Sequence, residues 1–280
     1  MSEIEFLHYC LTFAFEIALC AFIYARRAEK VLPYFATYAA VLAASTLGLL
    51  LAYEYLGFRS PASYYIYWTT ELINMIVRSL AIAELCWYGL RAYRGIWTLV
   101  FSTLSALSLF FLLNAALDAW GQPDRLAIYG LTLERDLDIA SIVTLVVLLL
   151  IRNYYGLSLE SLQKTIAVGI CIFCAADLVN NTILRNLYTG DLFFWFSTNH
   201  MPLWPTLRTQ IERVNDLYGT IRVSSFIVSV SIWCFALRKP VPSRKPGPEL
   251  LPSEVYGSLS PAINLRMRAF NDRLLEVLKP

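Results

Sequence analysis

Residues 64–90, YYIYWTTELINMIVRSLAIAELCWYGL, decide how the rest of the chain is read. The stretch is apolar and long enough to cross a bilayer, which takes about 20 residues of helix. Yet Glu71, Asn74 and Arg78 stand inside it at i, i+3 and i+7, on one side of a helix. Ionisable groups at bilayer depth cost about 2.5–3.5 kcal/mol each on insertion scales, so they face a bundle interior or a wet cavity. A helix with one charged stripe needs partners with stripes of their own.

The chain supplies them. With Tyr64–Leu90, the runs Ile4–Ala25, Leu32–Leu56, Ile96–Trp120, Leu126–Ile151, Thr165–Tyr188 and Thr209–Leu237 give seven candidate spans. The first carries Tyr9, Thr12 and Glu16 on one face, and the fifth Glu134, Asp138 and Ser141, with Thr144 at the margin. The sixth has Asp177, Asn180 and Asn181; the seventh has Glu212, Asn215, Asp216, Gly219 and Arg222. Lipid satisfies none of these groups, so five stripes point to a shared polar interior. Charge at the start of the fifth and seventh runs leaves six spans as the competing count. On the fourth, Ser102, Ser105 and Ser108 recur every three residues, a small-residue face suited to close packing, with Asn114 and Asp118 at its end. That helix reads as scaffold.

Composition agrees with a membrane protein. The 280 residues are 58% hydrophobic and 16% charged, against about 45–50% and about 25% in soluble proteins. A net charge of +2 excludes the dominant basic face of a nucleic-acid binder. Basic residues concentrate in alternate connections: Arg26, Arg27 and Lys30; Arg91 and Arg94; Arg152 and Lys164; Arg238, Lys239, Arg244 and Lys245. The opposite set carries Arg59, Arg125 and Arg208. The positive-inside rule then puts the N-terminus outside and the C-terminus in the cytoplasm, which requires an odd number of spans. Tyr64, Tyr65, Tyr67 and Trp68 on the outer side, and Trp87, Tyr88, Tyr93 and Trp97 on the inner, read as interfacial belts. Met1–Glu5 is acidic and no small-residue cleavage site follows, so the first helix is expected to stay in the mature protein.

The organisation expected is a transmembrane domain over 1–238, a proline-rich cytoplasmic linker over 239–259 and an amphipathic cytoplasmic helix over 260–280. Ser260 and Pro261 read as its N-cap and first residue. Ile263, Met267, Phe270, Leu274 and Val277 share its apolar face, to be docked on a partner, laid on the inner leaflet or packed under the bundle. The aromatic loop Gly190–Leu207 reads as an interfacial anchor, with a lid folded over the bundle mouth as the alternative.

Several chemistries lack their residues. Lys30, Lys164, Lys239, Lys245 and Lys279 all lie outside the spans, so no lysine can carry a retinal Schiff base. His8 and His200 are too few for multi-histidine metal or haem ligation. No P-loop, HExxH or GxSxG occurs. The six cysteines include a CxxC at Cys171 and Cys174, but its apolar flanks offer no electropositive activation. The expectation is therefore no cofactor and no metal, with catalysis left open but disfavoured.

The expected ligand-binding set is Glu71, Arg78, Glu134, Asp138, Asp177, Glu212, Asp216 and Arg222, in a cavity reaching from the periplasmic side to about midplane. The same charges would serve as ion pairs that fix helix register; the surplus of acids favours a site. Three functions compete: a receptor or sensor reporting through the tail, a transporter handling protons or cations, and a structural subunit using the tail and the serine face. The expected partners are the bilayer, a small molecule or ion from the periplasmic side, and a protein at residues 260–280. The expected location is a bacterial inner membrane.

Tyr65-Ile66-Tyr67-Trp68-Thr69-Thr70-Glu71, Leu133-Glu134-Arg135 and Gly156-Leu157-Ser158 resemble the motifs of a bacterial family of seven-helix integral membrane proteins with no assigned activity. The likeness spans most of the bundle. Leu159-Glu160 depart from it, standing where an aromatic and a base are expected. The resemblance implies the fold and a role for Glu71 and Glu134, and no chemistry.

Overall fold

The computed structural model describes residues 3–57, 60–91, 93–122, 124–155, 161–189, 205–238, 269–274 and 276–277. Side chains are described within 6–57, 60–91, 93–122, 124–151, 161–183 and 219–238 and in the tail segments. The loop Gly190–Leu207 up to residue 204, the linker 239–259 and the cap at Ser260 and Pro261 lie outside the described residues.

Each apolar run is a helix. They are α1 (Glu3–Ala25), α2 (Pro33–Leu56), α3 (Pro61–Leu90), α4 (Arg94–Ala119), α5 (Arg125–Tyr155), α6 (Ser161–Thr189) and α7 (Pro205–Ala236). No strand occurs among the described residues. Local chemistry fixes several starts. Pro33, Pro61 and Pro205 open their helices, where a missing N–H costs nothing. The Ser60 hydroxyl accepts from the Ser63 N–H at 3.1 Å, a side-chain N-cap. α2 has no cap of its own. Instead Glu84 of α3 accepts from the Tyr34 N–H at 3.3 Å and the Phe35 N–H at 3.0 Å. A carboxylate in the apolar half of α3 thus caps the neighbouring helix.

Among the described residues, six helices are long and apolar enough to cross a membrane: α1, α2, α3, α4, α6 and the part of α7 from Gly219. α5 is not among them. Glu134, Arg135, Asp136 and Asp138 crowd its first half, and its apolar stretch alone is short. The outer surface is itself apolar: Leu11, Ile76, Phe110, Leu113, Val143, Leu150, Val179 and Phe235 are all exposed. A soluble protein rarely exposes so much contiguous apolar surface. Charges inside and aliphatics outside are the pattern of a membrane protein.

Packing arranges α1, α2, α3, α5, α6 and α7 as a closed ring, each touching the next, with α7 returning to α1. α4 stands outside it against α5 and α3. The serine face does little to hold α4: Ser102 and Ser105 are exposed and Ser108 is half-buried. Three-residue spacing drifts around the helix, so the three hydroxyls spread over about 120° of its surface. Ala115 and Ala119 are buried instead, and Asn114 donates to Asp136 at 2.9 Å while Thr132 donates to Asp118 at 3.0 Å.

The two ends of the ring are built differently. At the far face, where α1 ends and α2 begins, one large core joins Leu19, Ile23, Phe35, Leu85, Ile166 and Leu237 around Trp233. Trp233 is fully buried, packs edge-on against Phe35 with centroids 5.4 Å apart, and donates to the Ile166 carbonyl at 3.1 Å. Its indole occupies the space beside Gly169, where a Cβ would lie 2.2 Å from Nε1. Only glycine admits it. The N-terminal face, where α1 begins, has a small core of Trp68, Ala127 and Leu131, and a cavity.

Part of the tail is helical, at 269–274 and 276–277. Asn271 Oδ1 accepts from the Gly95 N–H at 2.8 Å, capping the start of α4. Leu274 lies close to Gly95 as well, while Phe270 and Val277 stay exposed.

Candidate functional site

The cavity has a volume of about 540 Å³. His8, Tyr9, Tyr53 and Tyr64 line it near the N-terminal face; Glu16, Arg78, Phe173 and Phe226 line it at mid-depth. All six ring helices contribute walls and α4 contributes none. Below lies the core around Trp233.

α3 shows how sequence makes the wall. Tyr64, Tyr67, Trp68, Glu71, Met75 and Arg78 follow the helical repeat of three and four residues, and all face the cavity. The interfacial belt expected of Tyr64, Tyr65, Tyr67 and Trp68 is therefore corrected. Tyr65 alone points outward, 62% exposed. The other three share the face of Glu71, and that face turns inward because its charge has nowhere else to go. Trp68 packs against Gly130 of α5, whose Cβ would come within 2.3 Å of the ring.

Two arginines organise the floor. Arg78 Nη2 is 2.7 Å from Asp138 Oδ1, and Nη1 is 3.5 Å from Asp177. Arg222 Nη2 is 3.1 Å from Glu71 and 3.4 Å from Glu134; its Nε is 3.4 Å from Asp177. Arg222 also donates to the Tyr67 hydroxyl at 3.2 Å. Asp177 is shared by both. The pairs cross-link α3, α5, α6 and α7 at one depth. Glu71 and Arg78, two turns apart on α3, each find their partners on other helices.

Of the expected set, the structure brings six residues together: Glu71, Arg78, Glu134, Asp138, Asp177 and Arg222. Glu71, Arg78, Glu134 and Arg222 line the cavity; Asp138 and Asp177 are buried behind the arginines. Glu212 and Asp216 lie on α7, and their side chains fall outside the described residues. Glu134, Asp138 and Asp177 bring one carboxylate oxygen each within 4.8 Å of the others, a grouping able to hold a metal ion. Two guanidiniums already lie against these oxygens, and their positive charge opposes a divalent cation. The triad is better read as an arginine-filled ion cluster.

Some wall residues escaped the sequence reading. α2 carries no charged stripe, yet Tyr38, Ser45, Thr46 and Tyr53 line the cavity. Ser45 donates to Asn74 at 3.2 Å, and Thr46 donates to Glu16 at 3.0 Å. Glu16, seen in the first stripe but not placed in the site, is 1% exposed. Cys174 lies against Asp138, fully buried, and Cys171 is half-buried; both are free thiols. Small hydroxyl residues in an apolar run were the available signal on α2.

No family model, curated protein or solved structure matches this chain. The resemblance drawn from the three short motifs gains nothing from them, and the site stands on its geometry.

Proposed function

We propose that the protein is a receptor-like or sensory membrane protein with seven spans, its N-terminus outside and its C-terminus in the cytoplasm, in a bacterial inner membrane. α5 is the seventh span, its charged first half shielded between α3 and α6. A ligand enters the cavity from the N-terminal side and meets Glu71, Glu134 and Arg222 on the floor. One observation carries this reading: the wall residue Arg222 ties α7 to α3, α5 and α6 at once. A ligand that competes for any of those carboxylates changes how four helices are held together. Such a differential contact is what a ligand needs to shift a conformational equilibrium.

The output route is continuous. From Glu71, α3 continues to Leu90, and Asn271 of the tail accepts from the Gly95 N–H at the start of α4. The apolar core around Trp233 and the unbroken helices of the ring favour a sensor over a carrier, which needs access from both sides.

Thermal-shift screening of the purified full-length protein against small ions and metabolites tests the reading. A stabilising compound whose effect is lost in both Glu134→Gln and Arg222→Ala supports it. Unchanged stabilisation in both variants refutes the cavity as the site.

A further inference from the structure

Resting on the reading of the cavity as a ligand site, the charge on its walls specifies the ligand. Glu71, Glu134, Asp138 and Asp177 are all engaged by Arg78 or Arg222. Glu16 is not. It lines the cavity, is 1% exposed, and is paired with no arginine or lysine among the described residues. Its Oε1 accepts from Thr46, and its Oε2 accepts from no donor among the described residues. Among the described residues four carboxylates thus share two guanidiniums, and a fifth, Glu16, lies uncompensated deep in the wall. A buried carboxyl is held neutral by a proton, or is held ionised by hydrogen-bond donors or a cation.

The surroundings of Glu16 choose among cations. Tyr9 and Thr12 stand above it on the same face of α1, at i−7 and i−4. Tyr9 meets Tyr53 edge-on at 5.7 Å, and Tyr38 and Trp68 complete the nearby aromatic wall. A bare metal ion wants a close shell of oxygens on all sides, about six to eight for calcium. A cavity of about 540 Å³ with aromatic residues on its walls does not supply one. Aromatic faces attract organic ammonium groups through the ring quadrupole. The volume falls in the range of small-molecule sites, about 300–1,000 Å³. We propose that the cavity binds a small organic ammonium ion, its charged head at Glu16 and its body against the tyrosine and tryptophan rings.

The probes are 2-phenylethylammonium and tetramethylammonium, added to the full-length protein in nanodiscs. 2-Phenylethanol, phenylacetate and sodium chloride serve as neutral, anionic and bare-cation controls. Thermal stability and tryptophan emission report binding, since Trp68 is on the wall. The expected result is a saturable shift with an ammonium probe and none with the controls. Glu16→Gln should weaken that binding about tenfold or more, the usual loss of a charged hydrogen bond. If Glu16→Gln does not fold, the charge selectivity of the wild type decides alone. Equal response to the neutral, anionic or sodium control overturns the ammonium assignment but leaves a ligand cavity standing. So does undiminished ammonium binding in Glu16→Gln. Silence from every probe overturns the ammonium proposal, and the cavity reading then falls only if the wider metabolite screen is silent too.

Discussion

Two tryptophans in this molecule lie on two glycines, with opposite consequences. Trp233 on Gly169 is surrounded by Phe35, Ile166 and Leu237, and the far end of the ring is solid. Trp68 on Gly130 has Tyr64, Tyr67 and Glu71 on its own helix face, and the ring stays open beside it. The local device is the same: a glycine lets an indole reach a neighbouring helix. What differs is the company. An aliphatic face closes against its partners, whereas a face bearing a carboxylate and hydroxyls keeps them apart or needs an ion to join them.

The comparison can be broken experimentally. Trp233→Ala should lower unfolding stability in detergent by about 3–5 kcal/mol, the range for removing a buried aromatic. Trp68→Ala, in a much smaller cluster, should cost clearly less. Equal losses would mean the two ends are equally packed.

The ion cluster comes next. Arg78→Met leaves Asp138 without its guanidinium in a buried site, a loss of about 3–5 kcal/mol. In the double variant Arg78→Met/Asp138→Leu most of that stability should return, as read from the same unfolding midpoints. Arg222→Met should cost less than Arg78→Met, because the Arg222 side chain is 22% exposed against 5% for Arg78. The reverse order would place the structural weight on the cavity side.

Gly130→Val pushes Trp68 off its seat. Its expected cost is about 1–3 kcal/mol, as for overpacking, with a shifted tryptophan emission. An unchanged spectrum would show that the ring has another resting place. The smallest effect belongs to Asn271→Ala, which removes one cap from α4 and should cost about 1 kcal/mol or less. Its clearer readout is faster proteolysis of the tail at Arg266, Arg268 or Arg273. Identical cleavage would argue that the tail is not held at Gly95.

Much of this was legible in the residues. The seven runs, the inward stripes of α3, α5 and α6, and the ion-cluster members Glu71, Arg78, Glu134, Asp138, Asp177 and Arg222 all follow from hydropathy and helical period. The site's edges were harder to read. Glu16 looked like one more striped acid, because nothing in a single helix shows which acids will find an arginine. Tyr64, Tyr67 and Trp68 looked like a headgroup belt, because their position near a helix end is a stronger cue than their share in the Glu71 face. Ser102 and Ser105 looked like packing residues until α4 took its place outside the ring.

The sequence by itself determined the helices, the apolar exterior and the existence of a charged interior. Those properties depend on neighbours within a few turns and on the cost of charge in lipid, and both are written along the chain. Only the tertiary structure decided the order of the ring, the exclusion of α4, the pairing of two arginines with four acids, and the isolation of Glu16. These depend on which faces meet across the bundle, and several pairings of similar stripes satisfy the same local rules. Side-chain geometry at van der Waals distance selects among them, as where an indole fits only over a glycine.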